Sequence, residues 1–113
     1  MPTEPPDWDD EDEGNGTALA TEKKQKVKRP LLYKVLLHND DYTTMEFVVM
    51  VLKTIFRHNE ETAVQVMLHV HRKGSGVAGV YSREVAETKV EKTTSLARQH
   101  EFPLRCTMEP EEV

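Results

Sequence analysis

The sequence has little of what several classes of protein depend on. A single cysteine, Cys106, occurs among 113 residues, so an intrachain disulfide is impossible and a reducing compartment is the simplest setting. The apolar runs are too short to cross a bilayer, and the acidic start "MPTEPPDWDDEDEG" is the opposite of a signal peptide. The formal net charge of -5 leaves no excess of positive charge for nucleic acid. We therefore expect a cytoplasmic protein with neither nucleic-acid nor membrane partners.

Residues 1–29 are too polar to form a core. The acidic block "DWDDEDE" and the basic block "EKKQKVKR" flank a stretch of small and polar residues. Burial of so little apolar surface would not offset the entropy lost on ordering. We predict a disordered N-terminal extension over 1–29 and one domain over 30–113. Trp8 is either a solvated tail residue or a short contact motif for a partner.

The predicted domain opens with a strand, a turn and a helix. The strand is "LLYKVLLH", Leu31 to His38, which is nearly continuous in apolar residues. The stretch "NDDY" that follows is a turn signal. Thr43 is the expected N-cap of the helix, and Glu46 would complete a capping box three residues later. The apolar stripe indicates that this helix runs to about Arg57.

Two more helices and two more strands should follow. Asn59 is expected to cap the second helix, which runs to about Lys73 before the glycines of "GSG". The stretch "VAGVYS" is a short strand, and a third helix opens at Ser82 or Arg83. The stretch "LRCTME" alternates apolar and polar residues as a half-buried strand does. The order β-α-α-β-α-β predicts an α+β fold, a small antiparallel three-stranded sheet with three helices packed on one face.

The turn carries one acidic residue more than a turn needs. Asn39, Asp40 and Asp41 favour turns because their side chains bond the nearby backbone, which accounts for one of them and perhaps two. As a functional group, the carboxylates and the amide together would solvate a cation. A divalent metal requires more oxygen ligands than this turn supplies. A substrate ammonium group needs only a few acceptors.

Two histidines lie close together on the second predicted helix. His69 and His71 are two residues apart, so they point about 200° apart and both rings cannot reach one metal ion. His69 falls on the polar side of the helix and is expected to be solvated. His71 falls within the apolar stripe, which leaves two interpretations: a core histidine satisfied by one hydrogen bond, or a site residue that offers a ring nitrogen.

The sequence gives poor support for catalysis. Cys106 has no obvious histidine partner, and "GSG" lacks the lysine and the strand context of a phosphate-binding loop. Adjacent carboxylates do not fit glycoside hydrolysis, which places its two acids on opposite sides of a site. We expect no enzyme activity, no cofactor and no metal. The rival enzyme hypothesis, a hydrolase using His71 and Asp41, predicts turnover by the protein alone, and the metal hypothesis predicts a stability gain with zinc or calcium.

Four stretches also carry a family resemblance. "YKVLLHNDDYTTMEFVVMVL", "AVQVMLHVHRKG", "GVYSREVAETKV" and "FPLRCTME" closely resemble ClpS, the adaptor of bacterial ATP-dependent ClpA-type proteases, from about Leu31 to Glu109. The resemblance implies a fold similar to the C-terminal domain of the ribosomal stalk. It also implies an N-degron adaptor, which binds proteins whose first residue is Leu, Phe, Tyr or Trp. Such an adaptor delivers them to the N-terminal domain of the ClpA-type AAA+ unfoldase of the ClpAP protease.

The resemblance also implies roles for twelve side chains. Those that would hold the α-amino group are Asn39, Asp40, Asp41 and His71. Those that would line the pocket for the first side chain are Thr43, Met45, Val48, Met67, Val70 and Leu104. Those that would contact the unfoldase are Glu84 and Lys89.

The sequence departs from the family pattern at two positions. Thr44 stands where the family usually has proline, whose preset φ would favour the first helical turn. His38 stands where an aliphatic residue is common.

Lys89 has a second interpretation, a lysine whose stem lies along apolar surface while its charge reaches solvent. The alternative for the whole chain is a non-catalytic interaction module like the ribosomal stalk domain, and in either case we expect a monomer.

Overall fold

The computed structural model describes residues 31–111. The predicted extension over 1–29, Pro30 and the alternatives for Trp8 lie outside these residues. The expected order β-α-α-β-α-β is confirmed. The elements are β1 (Leu32–His38), α1 (Met45–Thr54), α2 (Glu60–Lys73), β2 (Ser75–Ser82), α3 (Arg83–Gln99) and β3 (Arg105–Pro110). No helix in this part of the chain is long and apolar enough to cross a membrane.

The sheet is antiparallel, with β1 in the middle of the order β2-β1-β3. Strand β1 is paired on both edges, and its residues Val35 and Leu37, which point to the same face, are fully buried. The register of β2 against β1 shifts once, which leaves Ala78 as the extra residue of a bulge. His58 Nε2 lies 2.6 Å from the Ala78 carbonyl oxygen, and it must donate because a carbonyl only accepts. The bulge therefore keeps a hydrogen-bond partner for its backbone.

Buried side chains lie between the sheet and the three helices, as an amphipathic layer requires. Phe47 on α1 contacts Phe102 with ring centroids 4.9 Å apart, and His100 at 5.1 Å. These contacts pack α1 against the segment that leads into β3. The core consists of Val35, Leu37, Phe47, Val48, Val51, Leu52, Phe56, Ala63, Met67, Val70, Ala78, Ala86, Ala97, Leu104 and Cys106.

The start of α1 differs from the prediction by one residue. Thr44 is the N-cap, and its hydroxyl oxygen accepts a hydrogen bond from Phe47 N at 3.1 Å. Thr43 is not the cap, because both its backbone N–H and its hydroxyl donate to Asp40. The proposed capping box from Thr43 to Glu46 is therefore wrong. Thr44 supplies a side-chain acceptor that proline, the usual family residue, does not have.

The other boundaries agree with the prediction to within a few residues. The helix α1 ends at Thr54, short of Arg57, where the backbone takes the left-handed value φ 59°. Asn59 caps α2 as expected, accepting from Thr62 N at 2.8 Å, and Gly74 ends it with φ 94°. Strand β2 begins at Ser75 rather than at 77, and Ser82 is the N-cap of α3. Strand β3 begins one residue later than predicted.

Candidate functional site

The acidic turn is held against the end of α2 by backbone contacts. His38 at the end of β1 pairs with Ser75 at the start of β2. The next residue, Asn39, donates its backbone N–H to the Gly74 carbonyl at 2.9 Å. Since Gly74 directly follows α2, the turn lies beside the last turn of that helix, which carries His71. Two stretches more than thirty residues apart in the sequence thus meet at one place.

Asp40 organises the turn. Its Oδ1 accepts hydrogen bonds from the backbone N–H groups of Tyr42 at 2.8 Å and Thr43 at 2.7 Å, and its Oδ2 accepts from the Thr43 hydroxyl at 2.8 Å. Burial raises the pKa of Asp40, but the three hydrogen bonds together outweigh it and hold that pKa below its ordinary value. Asp40 is therefore a carboxylate with about one acceptor position left, since two oxygens offer about four.

The neighbours of Asp40 have exposed side chains. Asn39 and Asp41 are both exposed, and neither side chain has a hydrogen-bond partner among residues 31–111. The interpretation as a turn therefore explains Asp40 fully and leaves Asp41 and the Asn39 amide unexplained. These two groups offer acceptors at the surface, beside the remaining position of Asp40.

These residues form one end of a small cavity. Its volume is about 220 Å³, below the roughly 300–1,000 Å³ of pockets for drug-sized ligands. It is wide enough for one side chain and its amino group rather than for a long peptide. Its lining has a polar part, formed by the side chains of the acidic turn and His71, and an apolar part, in which Val48, Met67 and Val70 are buried. We call these two parts the polar end and the apolar end. Its lining is Asn39, Asp40, Asp41, Thr43, Met45, Val48, Met67, Val70 and His71.

The cavity brings together all the predicted ligand-binding residues except Leu104. Leu104 is 5% exposed and belongs to the core just before β3, outside this lining. His71 is exposed and borders the cavity, so its interpretation as a core histidine is wrong. His71 lies in the last turn of α2, beside the acidic turn, and is exposed although its neighbour Val70 is buried in the core. His69 is exposed, as expected.

Sequence reasoning missed two features that shape this region. Thr44 caps α1 directly after the turn. The sequence contains a signal for this, because threonine is a preferred N-cap residue at either position 43 or 44. A second depression, of about 420 Å³, lies between α1 and α2 on the other side of Met45. We name it the α1–α2 groove, lined by Met45, Glu46, Val49, Met50, Lys53, Thr54, Glu60, Val64 and Met67.

A comparison with protein-family models identifies the chain. The model described as "ATP-dependent Clp protease adaptor protein ClpS" matches residues 28–107, well over half of the 113 residues. The chain belongs to the ClpS family. Similar proteins named "ATP-dependent Clp protease adapter protein ClpS" include one from Hyphomonas neptunium, 57% identical over 102 residues, which are 90% of this chain and 86% of that protein. Another, from Myxococcus xanthus, is 59% identical over 98 residues, 85% of this chain and 92% of that protein.

A solved structure of the family has the same fold. The structure of Agrobacterium tumefaciens ClpS2 bound to L-phenylalaninamide matches with a TM-score of 0.71 and 53% sequence identity. The match covers 74% of this chain and 100% of that one. The ligand of that protein is a single residue with a free amino group and an aromatic side chain.

The two ClpS residues predicted to contact the unfoldase lie in different surroundings. Glu84 is exposed in the first turn of α3. Lys89 is half-buried, and its Nζ donates to the Ile55 carbonyl at the end of α1, at 2.7 Å, and lies 5.5 Å from the centre of the Tyr81 ring. Burial lowers the pKa of Lys89, and the positive charges of Lys92 and Arg57 lower it further. Lys89 thus has a structural role that joins α3 to α1.

The described part of this ClpS chain offers few groups for catalysis. Burial raises the pKa of the Cys106 thiol to about 11, so it is protonated at neutral pH. Within residues 31–111, no cluster of three or more His, Cys, Asp or Glu side chains is placed to hold a metal ion. The chemistry that the cavity supports is binding: hydrogen-bond acceptors at one end, apolar surface at the other.

Proposed function

We propose that this ClpS chain binds proteins through a large hydrophobic N-terminal residue and delivers them to the ClpA-type unfoldase of the ClpAP protease. One observation carries the proposal: a cavity of about 220 Å³ has exposed acceptors at one end and buried apolar walls at the other. A first residue matches both ends, because it alone combines a free ammonium group with its side chain.

The polar end suits an ammonium group. A protein's α-amino group has three N–H donors when protonated, and its ordinary pKa of about 8 keeps it largely charged at neutral pH. Asp41 and the Asn39 side chain supply acceptors, and Asp40 supplies its remaining position. His71, which also lines the cavity, supplies a ring nitrogen. Each charge-assisted hydrogen bond is worth roughly 1.5–3 kcal/mol.

The apolar end suits a flat or branched side chain. Thr43, Val48 and Val70 form fixed walls, while Met45 and Met67 can adapt because their side chains are unbranched and polarisable. Burying one Leu or Phe side chain is worth about 1.5–3 kcal/mol. The phenylalaninamide held by the Agrobacterium ClpS2 has the two groups that this proposal requires. Leu104 would contribute indirectly, as a buried core residue outside this lining.

A set of peptides that differ only in residue one tests the proposal. Phe, Leu, Tyr and Trp are expected to bind with micromolar or tighter affinity, and Ala or Asp at least tenfold more weakly, since the apolar burial is lost. Fluorescence anisotropy with a labelled Phe peptide and unlabelled competitors measures the series. Equal affinity for Phe and Ala at the first position would refute the assignment of the cavity.

The proposed function also requires a surface that contacts the unfoldase. Delivery requires a contact with the N-terminal domain of the unfoldase, which we assign to the exposed Glu84 and, on the same helix, to the half-buried Lys89. The protein is proposed to act as a monomeric adaptor in the cytoplasm, without enzyme activity of its own and without nucleic-acid or membrane partners. The protonated state of Cys106 supports the absence of a thiol nucleophile.

A further inference from the structure

The α1–α2 groove is continuous with the proposed binding cavity. Met45 and Met67 line both depressions, so the two methionines form the wall between them. Met45 is 45% exposed, and Met67 is 8% exposed beneath it. When the first side chain of a peptide fills the cavity, the next residues of that peptide therefore lie close to the groove, with the exposed Met45 side chain between the two depressions.

The groove lining is largely apolar and contains one ion pair. Val49, Met50 and Val64 are partly buried and packed against the core. Lys53 and Glu60 form an ion pair at 2.6 Å, which joins α1 to the start of α2. Since Lys53 is already paired with Glu60, the groove lining offers apolar surface and the carboxylate of Glu46, and no unpaired cation.

The spacing of an extended peptide selects which of its residues reaches the floor. Alternate side chains of an extended chain point to the same side and repeat every ~7 Å. If residue one points into the cavity, residue two points away and residue three points back towards the protein. An α-helix rises about 1.5 Å per residue, so 7 Å along α1 from Met45 corresponds to about four or five residues. That distance reaches Val49 and Met50.

We propose that the α1–α2 groove binds an apolar side chain at the third residue of the substrate. The proposal rests on the proposed function, because the first residue must already occupy the cavity. The groove takes a Leu, Ile, Met or Phe side chain. It excludes a carboxylate, which would lie near Glu46 and Glu60 without a free cation to pair with. The chain would thus recognise a pattern of two apolar residues separated by one.

Peptides of one length, all with Phe at residue one, test this register with the full-length protein. The set has Leu, Ser or Asp at residue three after glycine, and Leu at residue two before glycine. Leu at residue three should bind about threefold to tenfold more tightly than Ser, as expected for partial burial of one leucine side chain. Asp at that position should bind more weakly than Ser, and Leu at residue two should equal glycine.

A matched pair of variants locates the effect. Met50→Gln keeps the side-chain length and the helix propensity but removes apolar surface from the groove. It should abolish the preference for Leu at residue three and leave the affinity for a Phe-Gly-Gly peptide unchanged. Val64→Thr is a second groove variant and should reduce the preference. Met108→Gln, the same substitution at a partly buried position outside the groove, should retain it.

The possible contrary results distinguish a failure of the groove proposal from a failure of the proposed function. Equal affinity for Leu and Ser at residue three, with selection for Phe over Ala at residue one intact, overturns the groove proposal and spares the proposed function. Loss of selection at residue one overturns the proposed function itself. A preference for Leu that persists in Met50→Gln and Val64→Thr, or that is equal at residues two and three, overturns the assigned register. If a second copy of the chain fills the groove instead, every affinity will change with protein concentration.

Discussion

Asp40 and Asp41 are neighbours in the sequence with different roles in the structure. Asp40 accepts three hydrogen bonds from donors of Tyr42 and Thr43 and so fixes the shape of the turn. Asp41 is exposed and has no side-chain partner among residues 31–111. The two carboxylates therefore have different roles: that of Asp40 stabilises the turn, and that of Asp41 remains available to a ligand.

This division predicts different outcomes for two alanine variants. Asp40→Ala should lower the free energy of unfolding by about 1–2 kcal/mol, because two backbone donors and one hydroxyl lose their acceptor, and should also weaken peptide binding. Asp41→Ala should weaken binding of a Phe peptide at least tenfold with little change in stability. Urea unfolding and fluorescence anisotropy measure the two quantities. A loss of stability in Asp41→Ala as large as that in Asp40→Ala would contradict this division.

The lowered pKa of Asp40 predicts how its contribution depends on pH. The folded chain holds this carboxylate below its ordinary pKa of about 4, so the unfolded chain binds the proton more readily. The contribution is therefore complete above the ordinary pKa and is lost as the pH falls through the folded value. The difference in free energy of unfolding between wild type and Asp40→Asn should be constant from pH 7 to 5 and shrink below about pH 4. A difference that grows with acidity would show that the sign is wrong.

At the scale of elements, the ends of the helices position the site. The helix α2 ends at Gly74, whose φ of 94° is left-handed and whose carbonyl accepts from Asn39 N. A Cβ at this position would meet nothing within 4 Å, so the demand for glycine is conformational. The helix α3 ends with the same kind of backbone at Glu101, which has a side chain and φ 59°.

These two caps predict opposite effects on stability. Gly74→Ala should cost about 1 kcal/mol and loosen the contact of the turn with α2, because alanine disfavours positive φ. Glu101→Gly should raise the free energy of unfolding by about 0.5–1 kcal/mol, since Glu101 N donates to the Arg98 carbonyl and Phe102 N to the Ala97 carbonyl in a Schellman motif that favours glycine. Thermal unfolding followed by circular dichroism measures both. A Tm for Glu101→Gly below wild type would refute the argument.

Local signals in the sequence were sufficient for most of the fold. Asn59, Gly74 and Ser82 mark helix ends through their own side chain or backbone, and each lies where the structure has a cap. The cap of α1 was misplaced because Thr43 and Thr44 are equally good candidates in sequence. Only the hydrogen bonds of Thr43 to Asp40, three residues earlier in the turn, decide between them.

The site required contacts that no local pattern contains. The turn after β1 suggested an ammonium site from its own residues, but the end of α2 reaches it through sheet pairing and the Asn39–Gly74 hydrogen bond. Periodicity placed His71 on the apolar stripe, where it looked like a core residue as much as a ligand. The assignment of both ends of the cavity to one ligand therefore came from the family resemblance. Neither the local sequence patterns nor that resemblance pointed to the α1–α2 groove.

At the scale of the whole molecule, the proposed substrate site and the proposed unfoldase contact lie on different elements. Glu84 on α3 lies outside the cavity and the groove and is exposed. Glu84→Lys should weaken binding to the unfoldase N-terminal domain at least tenfold and leave peptide affinity unchanged. Glu91→Lys makes the same charge change two turns later on α3 and serves as the control. Isothermal titration with the isolated unfoldase domain measures both, and equal binding of Glu84→Lys and wild type would remove Glu84 from the contact.

Lys89 requires a different experiment because it is part of the fold. Its hydrogen bond to the Ile55 carbonyl and its position over the Tyr81 ring mean that reversing its charge would disturb the junction of α1 and α3. Binding data for Lys89 variants therefore need a matched measurement of the free energy of unfolding. Glu84, which has no such contact, gives the cleaner test of delivery.

The cavity is proposed to recognise a free α-amino group together with a large apolar side chain. The most direct measurement compares two Phe-initiated peptides that differ only in N-terminal acetylation, titrated against the wild-type protein. Acetylation removes the charge and two of the three donors, and it leaves Asp41 and Asn39 without a partner. The free peptide should therefore bind at least a hundredfold more tightly. Equal affinity of the free and acetylated peptides would contradict the account.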